Sequence, residues 1–212
     1  MRRALTLIEL IFSMVIIALA FTIFPKIVQV SAQSAKYTLQ EEELYNALAL
    51  IGQIKNLHWD EQNTRYNDIL LTNGEQAYEC GYSFGGKPIY RIGSFVGSRN
   101  CLHKLSASAI GSENGELEPD DIDDFNGFVK DIHDDRNHRI YRLQAKVYYI
   151  KDPKITDKTL TLDPAMLTNT KAIEVNVTAL KKKGAIGSGL KFWYVSTNIG
   201  ELRVYSEPWS GR

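Results

Sequence analysis

The chain has no surplus of charge of either sign, because 25 lysines and arginines stand against 25 aspartates and glutamates. No long-range field therefore draws it toward nucleic acid or an anionic surface, and any such binding has to come from a local patch. It has two cysteines, Cys80 and Cys101, which leave room for one bridge and no more. It has no internal repeat and no low-complexity tract. Its four histidines, His58, His103, His133 and His138, form no readable nucleophile-base order with the serines. The pair in DIHDDRNH (131–138) fits no zinc spacing and reads as a polar surface loop. GAIGSGLK (184–191) has the two glycines of a phosphate loop, but Leu190 stands where the lysine is needed, so it reads as a connecting loop. No enzymatic constellation and no cofactor site emerges from these stretches.

There is one long apolar run, and it opens the chain: MRRALTLIELIFSMVIIALAFTIFPK. From Ala4 to Phe24 it holds about 21 residues, roughly 31 Å of helix, the thickness of a bilayer's hydrocarbon core. Arg2 and Arg3 precede it, which keeps the N-terminus cytoplasmic and sends the remainder outward. The cysteines then lie where a disulfide persists. Glu9 is the anomaly. An aspartate at the centre of such a span costs about 2.5 to 3.5 kcal/mol, less near the interface, so an acidic residue there calls for a partner or a role.

Beyond Pro25 the sequence stays helical in character. Leu44, Leu48, Ile51, Ile54 and Leu57 recur at three and four residues and form one apolar stripe. From Trp59 the texture changes to short runs of β-branched and aromatic residues separated by Gly, Asn and Asp, the pattern of antiparallel strands. Strands are predicted over 140–150, 172–180, 190–197 and 201–206, with Asn198 to Gly200 as a hairpin loop, and shorter ones near 78–84 and 89–95. The fold class is α+β, with a leader at 1–4, a transmembrane helix at 5–25, an amphipathic helix at 26–58 and a β-rich domain at 59–212.

The stretch LTLIELIFSMVIIAL resembles the N-terminus shared by type IV pilins and type II secretion pseudopilins. The resemblance makes Ala4 and Leu5 the residues flanking the leader cut, with Leu5 the new, N-methylated terminus, and Glu9 the residue that engages the N-terminal amine of a neighbouring subunit during assembly. Ala4 stands where the family has Gly, and Leu5 where it has Phe. The likeness is close over about the first thirty residues. It implies a minor pilin or pseudopilin: a prepilin peptidase, an inner-membrane assembly platform and other pilin subunits as partners, and an inner-membrane location with a periplasmic C-terminal domain before entry into a filament. The competing readings are a cleaved secretory signal, with Leu10 to Ile17 as its apolar region and Ala18 to Ala20 as its cut, and a plain anchor for an exported DNA- or ligand-binding protein.

Three further stretches carry expectations. EPDDIDDFNGF (118–128) places Asp120, Asp121, Asp123 and Asp124 together and resembles an acidic turn of minor pilins of mannose-sensitive haemagglutinin type. Ca²⁺ ligated by these aspartates and Asn126 is one reading. The EF-hand pattern fails, with Ile122 at its first position and His133 where its glutamate belongs. The other reading is a turn closed by Asn126 and Gly127, with Ile122, Phe125 and Phe128 inward and the aspartates in water. EVNVT (174–178) matches an acidic sequon that would place a glycan on Asn176, although it reads first as a strand. KKKG (181–184) could contact phosphates, as a DNA-binding role would want, but no aromatic residues interleave the lysines and it reads first as a solvated loop.

Overall fold

A computed structural model describes residues 6–66, 68–78, 80, 82–84, 87–90, 101, 103–111, 118–154, 156–179 and 189–200. The long helix α1, Leu7–Ile54, runs through Pro25 without ending there. It stops three residues short of the expected amphipathic stripe's last member, Leu57. Lys55 and Leu57 still bond back to Ile51 and Ile54, the second over three residues, as helix ends commonly tighten. The chain divides into two compact units, Met1–Tyr45 and Asn46–Arg212.

The first unit holds the apolar part of α1, where Leu10, Phe12, Met14, Ile16, Phe21 and Phe24 are all exposed. Among the described residues α1 is the one helix long and apolar enough to cross a membrane. Helical hydrogen bonds satisfy its backbone internally, which is what a lipid environment demands.

The second unit is built on an antiparallel sheet of four strands in the order β3 (Val129–His133), β4 (Arg139–Ile150), β5 (Thr170–Ala179) and β6 (Leu190–Thr197). Alternation along β4 sends Tyr141, Leu143, Ala145, Val147 and Tyr149 inward, and along β5 Ile173, Val175 and Val177. The last turns of α1 contribute Ala47, Leu50, Ile51 and Ile54 to the same core. Asn46 Nδ2 donates to the hydroxyl of Tyr141 at 2.5 Å. Strands β1 (Tyr82–Phe84) and β2 (Lys87–Tyr90) form a separate hairpin.

Several sequence expectations need correction. The region after Trp59 includes a short helix, α2 (Glu61–Arg65), whose N-terminus is capped by Asp60 accepting from Gln62 N at 3.1 Å. Of the strand expected near 78–84, Tyr82–Phe84 forms β1, whereas Tyr78 ends a 3₁₀ turn, Gln76–Tyr78. DIHDDRNH is loop only in its second half: Asp131 to His133 belong to β3, and Asp134 turns the chain by accepting from Arg136 N and His138 N. The strand expected at 201–206 and the basic patch at 181–184 lie outside the described residues, as do residues 91–95 of the strand expected at 89–95, whose first two residues end β2.

Candidate functional site

Glu9 sits in the first turn of α1. Its Oε2 accepts from the backbone N–H of Thr6 at 2.9 Å and from the Thr6 hydroxyl at 3.0 Å. T-L-I-E is thus half of a capping box: the glutamate three residues into the helix reaches back to the otherwise orphaned donor before it. The cleavage positions Ala4 and Leu5 lie outside the described residues.

The acidic turn is organised differently from either expectation. Ile122 and Phe125 are buried and Phe128 is half-buried, tilted against Phe125 with ring centroids 5.4 Å apart. The aspartates are not all in water, however. Asp120 is exposed and Asp124 half-exposed, but Asp121 and Asp123 are buried. The reason lies across the fold. Lys171, the second residue of β5, has the inward phase of Ile173, Val175 and Val177, and its side chain is 0% accessible. Its ammonium lies 2.5 Å from Asp123 Oδ1, 2.6 Å from the carbonyl of Trp59 and 3.4 Å from Asp60 Oδ2. The rings of Trp59 and Tyr149 cover it, at 4.2 and 5.2 Å from their centroids. Ser108 Oγ donates between the two carboxylates, 3.1 Å from Asp60 Oδ2 and 3.3 Å from Asp123 Oδ2. Its backbone N–H binds Asp60 Oδ2 at 2.8 Å.

Asp121 completes the cluster. Its Oδ1 accepts from Asp123 N and Asp124 N, while its Oδ2 is buried and meets no donor among the described residues. Burial, reinforced by the charge of Asp123, pushes the Asp121 carboxyl up to about 8. Burial likewise takes Asp123 up to about 6 against the opposing pull of Lys171. The residues expected to share a calcium ion are therefore not brought to one point. Asp123 faces Lys171, Asp124 Oδ2 accepts from Asp120 N and Asp121 N, and Asn126 Oδ1 accepts from Val147 N. Among the described residues no group of three His, Cys, Asp or Glu side chains is placed to hold a metal ion.

Lys171, Asp60 and Ser108 escaped the sequence reading. The signal is there: a lysine on the apolar phase of a β-branched run is a buried charge, but the strand predicted over 172–180 starts one residue beyond it, whereas β5 starts at Thr170. Asn176 lies within β5, paired with Gln144 on one side and Lys191 on the other, and its amide donates to Glu174 Oε1 at 2.7 Å. Cys80 and Cys101 are disulfide-bonded, with Cα atoms 6.2 Å apart. Beside the bridge, Asp68 Oδ2 accepts from His103 N and pairs with its Nδ1, both at 2.8 Å, and Tyr66 stacks on the imidazole at 3.7 Å.

Compared with protein-family models, curated proteins and solved structures, the chain shows no significant match.

Proposed function

We propose that the protein is a minor pilin or pseudopilin, a subunit that enters a type IV pilus-like or type II secretion-like filament through its N-terminal helix. The observation that carries this reading is Glu9 itself: a carboxylate in the first turn of an otherwise apolar, membrane-length helix, held among the described residues by the N–H and hydroxyl of Thr6. A carboxylate in apolar surroundings gains most from an ionic partner, and a neighbouring subunit's N-terminal ammonium supplies one only when helices pack in register. The capping contact keeps the carboxylate hydrogen-bonded until then. A β-rich domain joined to such a helix suits a subunit whose globular part lies outside the inner membrane.

Two measurements test the reading. Sequencing the mature N-terminus distinguishes a methylated Leu5, expected for a processed pilin, from Met1, expected for a plain anchor, and from Phe21, expected for a secreted protein. Substituting Glu9→Val removes the charge from the span and should leave insertion intact while excluding the protein from sheared filaments. Normal incorporation of that variant would defeat the assembly role.

A further inference from the structure

We propose that the ε-amine of Lys171 and the side-chain carboxyl of Asp123 condense into an intramolecular isopeptide bond, with Asp60 carrying the proton. The inference stands on the buried cluster and does not depend on the filament reading.

The two reacting groups are already in contact. Nζ of Lys171 is 2.5 Å from Asp123 Oδ1, and neither side chain is more than 1% accessible. They come from segments 48 residues apart, brought together because β5 carries Lys171 inward and the 3₁₀ turn Asp123–Phe125 is seated beneath it. Water is kept out by Trp59 and Tyr149, whose rings lie over the nitrogen. An ion pair in such a site loses much of its hydration, and moving one proton from the ammonium to Asp123 replaces it with a neutral amine and a neutral carboxylic acid. That is the reactive pair. The raised Asp123 carboxyl fits the same direction.

The step balances without an oxidant or cofactor. The amine lone pair attacks Cγ of Asp123 and forms the C–N bond. The nitrogen sheds one proton to Asp60 Oδ2, 3.4 Å away. The proton returns to the departing hydroxyl, either directly or through Ser108 Oγ, which bridges Asp60 and Asp123. The C–O bond breaks and one water leaves, so an amine and a carboxylic acid become an amide and water, with Asp60 unchanged. Two groups held in contact reach effective molarities of about 10⁵ M or more, enough to make a reaction that is negligible between free side chains proceed in the fold. Asp60 is the proton carrier and not the electrophile because its oxygens are more heavily engaged, by Gln62 N on one and Ser108 N and Oγ on the other. The product would tie the acidic turn to the central strand covalently.

The test is the mass of the unaltered full chain, purified folded in detergent, then denatured and digested with trypsin. The expected result is a loss of one water, located by tandem mass spectrometry in a branched peptide joining Lys171 to Asp123, with no cleavage after Lys171. Lys171→Arg should restore the missing water and yield only linear peptides. Asp60→Asn, checked for an intact Cys80–Cys101 bridge as a sign of folding, should lower the cross-linked fraction by at least tenfold. Full mass in the folded wild-type chain would overturn the proposal, as would a water loss confined to a linear peptide, which a succinimide would give. Cross-linking of Asp60→Asn to the wild-type extent would overturn the role given to Asp60.

Discussion

The side-chain amide of Asn198 pairs with the backbone of Leu70 as a neighbouring strand would: Leu70 N donates to Oδ1 at 3.0 Å, and Nδ2 donates to the Leu70 carbonyl at 2.8 Å. Nδ2 also lies 3.1 Å from Asn169 Oδ1, and Asn198 N donates to the Asn169 carbonyl. One residue thus joins the end of β6 to two buried loops. Its position just after the strand made it look like ordinary turn chemistry in the sequence.

Asn198→Ala strips both partners from a buried backbone N–H and C=O, each of which costs about 1 to 3 kcal/mol when left unmade. The expected destabilisation is about 2 to 4 kcal/mol by denaturant unfolding. Asn198→Asp should be at least as harmful, since a carboxylate oxygen would then face the Leu70 carbonyl. A change below about 0.5 kcal/mol in either variant, the range of an ordinary surface substitution, would show that the paired amide does not hold these loops.

Gly74 is needed for a different reason. A Cβ there would lie 2.0 Å from Asp152 Oδ2 and 2.6 Å from Asn169 Nδ2. Asp152 is buried and gathers Glu75 N, Asn169 N and Nδ2, and the Thr170 hydroxyl. It cannot step aside without breaking several of these bonds. Gly74→Ala is expected to cost about 2 kcal/mol or more, where an exposed loop glycine would tolerate the change. At Gly111 nothing lies within 4 Å of an added Cβ, but with φ at +127° a substitution there would be strained through the backbone alone, so Gly111→Ala separates backbone strain from the steric clash at Gly74.

What was legible in the sequence was whatever period and composition encode. The apolar run from Leu7, the stripe through Ile51 and Ile54, and the runs that became β4, β5 and β6 all announced themselves through spacing. β3 did not, because Val129 to His133 is a strand of exposed and half-exposed residues with no apolar alternation, held by pairing to β4 and by Asp131 with Arg142 and Arg139. The buried cluster was hidden for another reason. Asp60, Ser108, Asp123 and Lys171 are spread along the chain, and only the register of β5 against its neighbours decides that the lysine meets the acids. An acidic turn read alone asks for an external cation; the fold supplies an internal one.

The disulfide makes a separate expectation. Cys80 and Cys101 are 21 residues apart, and closing a loop of that order is worth roughly 3 kcal/mol in the chain-entropy account. Reduction should lower the unfolding free energy by about that amount, and thiol labelling of the unfolded, unreduced protein should find neither cysteine free. Two labelled thiols would remove the bridge. Retention of full stability after complete reduction would mean that the clamp of Asp68 on His103, two residues beyond Cys101, suffices to hold this loop.

The pH dependence should run opposite to that of a protein held by ionised carboxylates. Asp121 titrates near 4 in an unfolded chain but near 8 in the fold, where burial is the larger cause and the charge of Asp123 the next. The folded state therefore holds a proton that the unfolded state has released, and stability falls as pH rises through that window, by up to about 1.4 kcal/mol per pH unit. Below the unfolded value the contribution is fully present; above about 8 it has been lost. Lys171 acts against the shift and the charge of Asp124 adds to it, yet neither outweighs burial. Asp121→Asn keeps a neutral side chain whose Oδ1 can still accept from Asp123 N and Asp124 N. Melting temperatures of the full chain in detergent, followed from mildly acidic to mildly alkaline buffer, should fall for the wild type and stay flatter for Asp121→Asn, with the variant the more stable at the alkaline end. A wild-type curve that rises with pH, or a variant curve parallel to it, would mean that Asp121 is ionised in the fold.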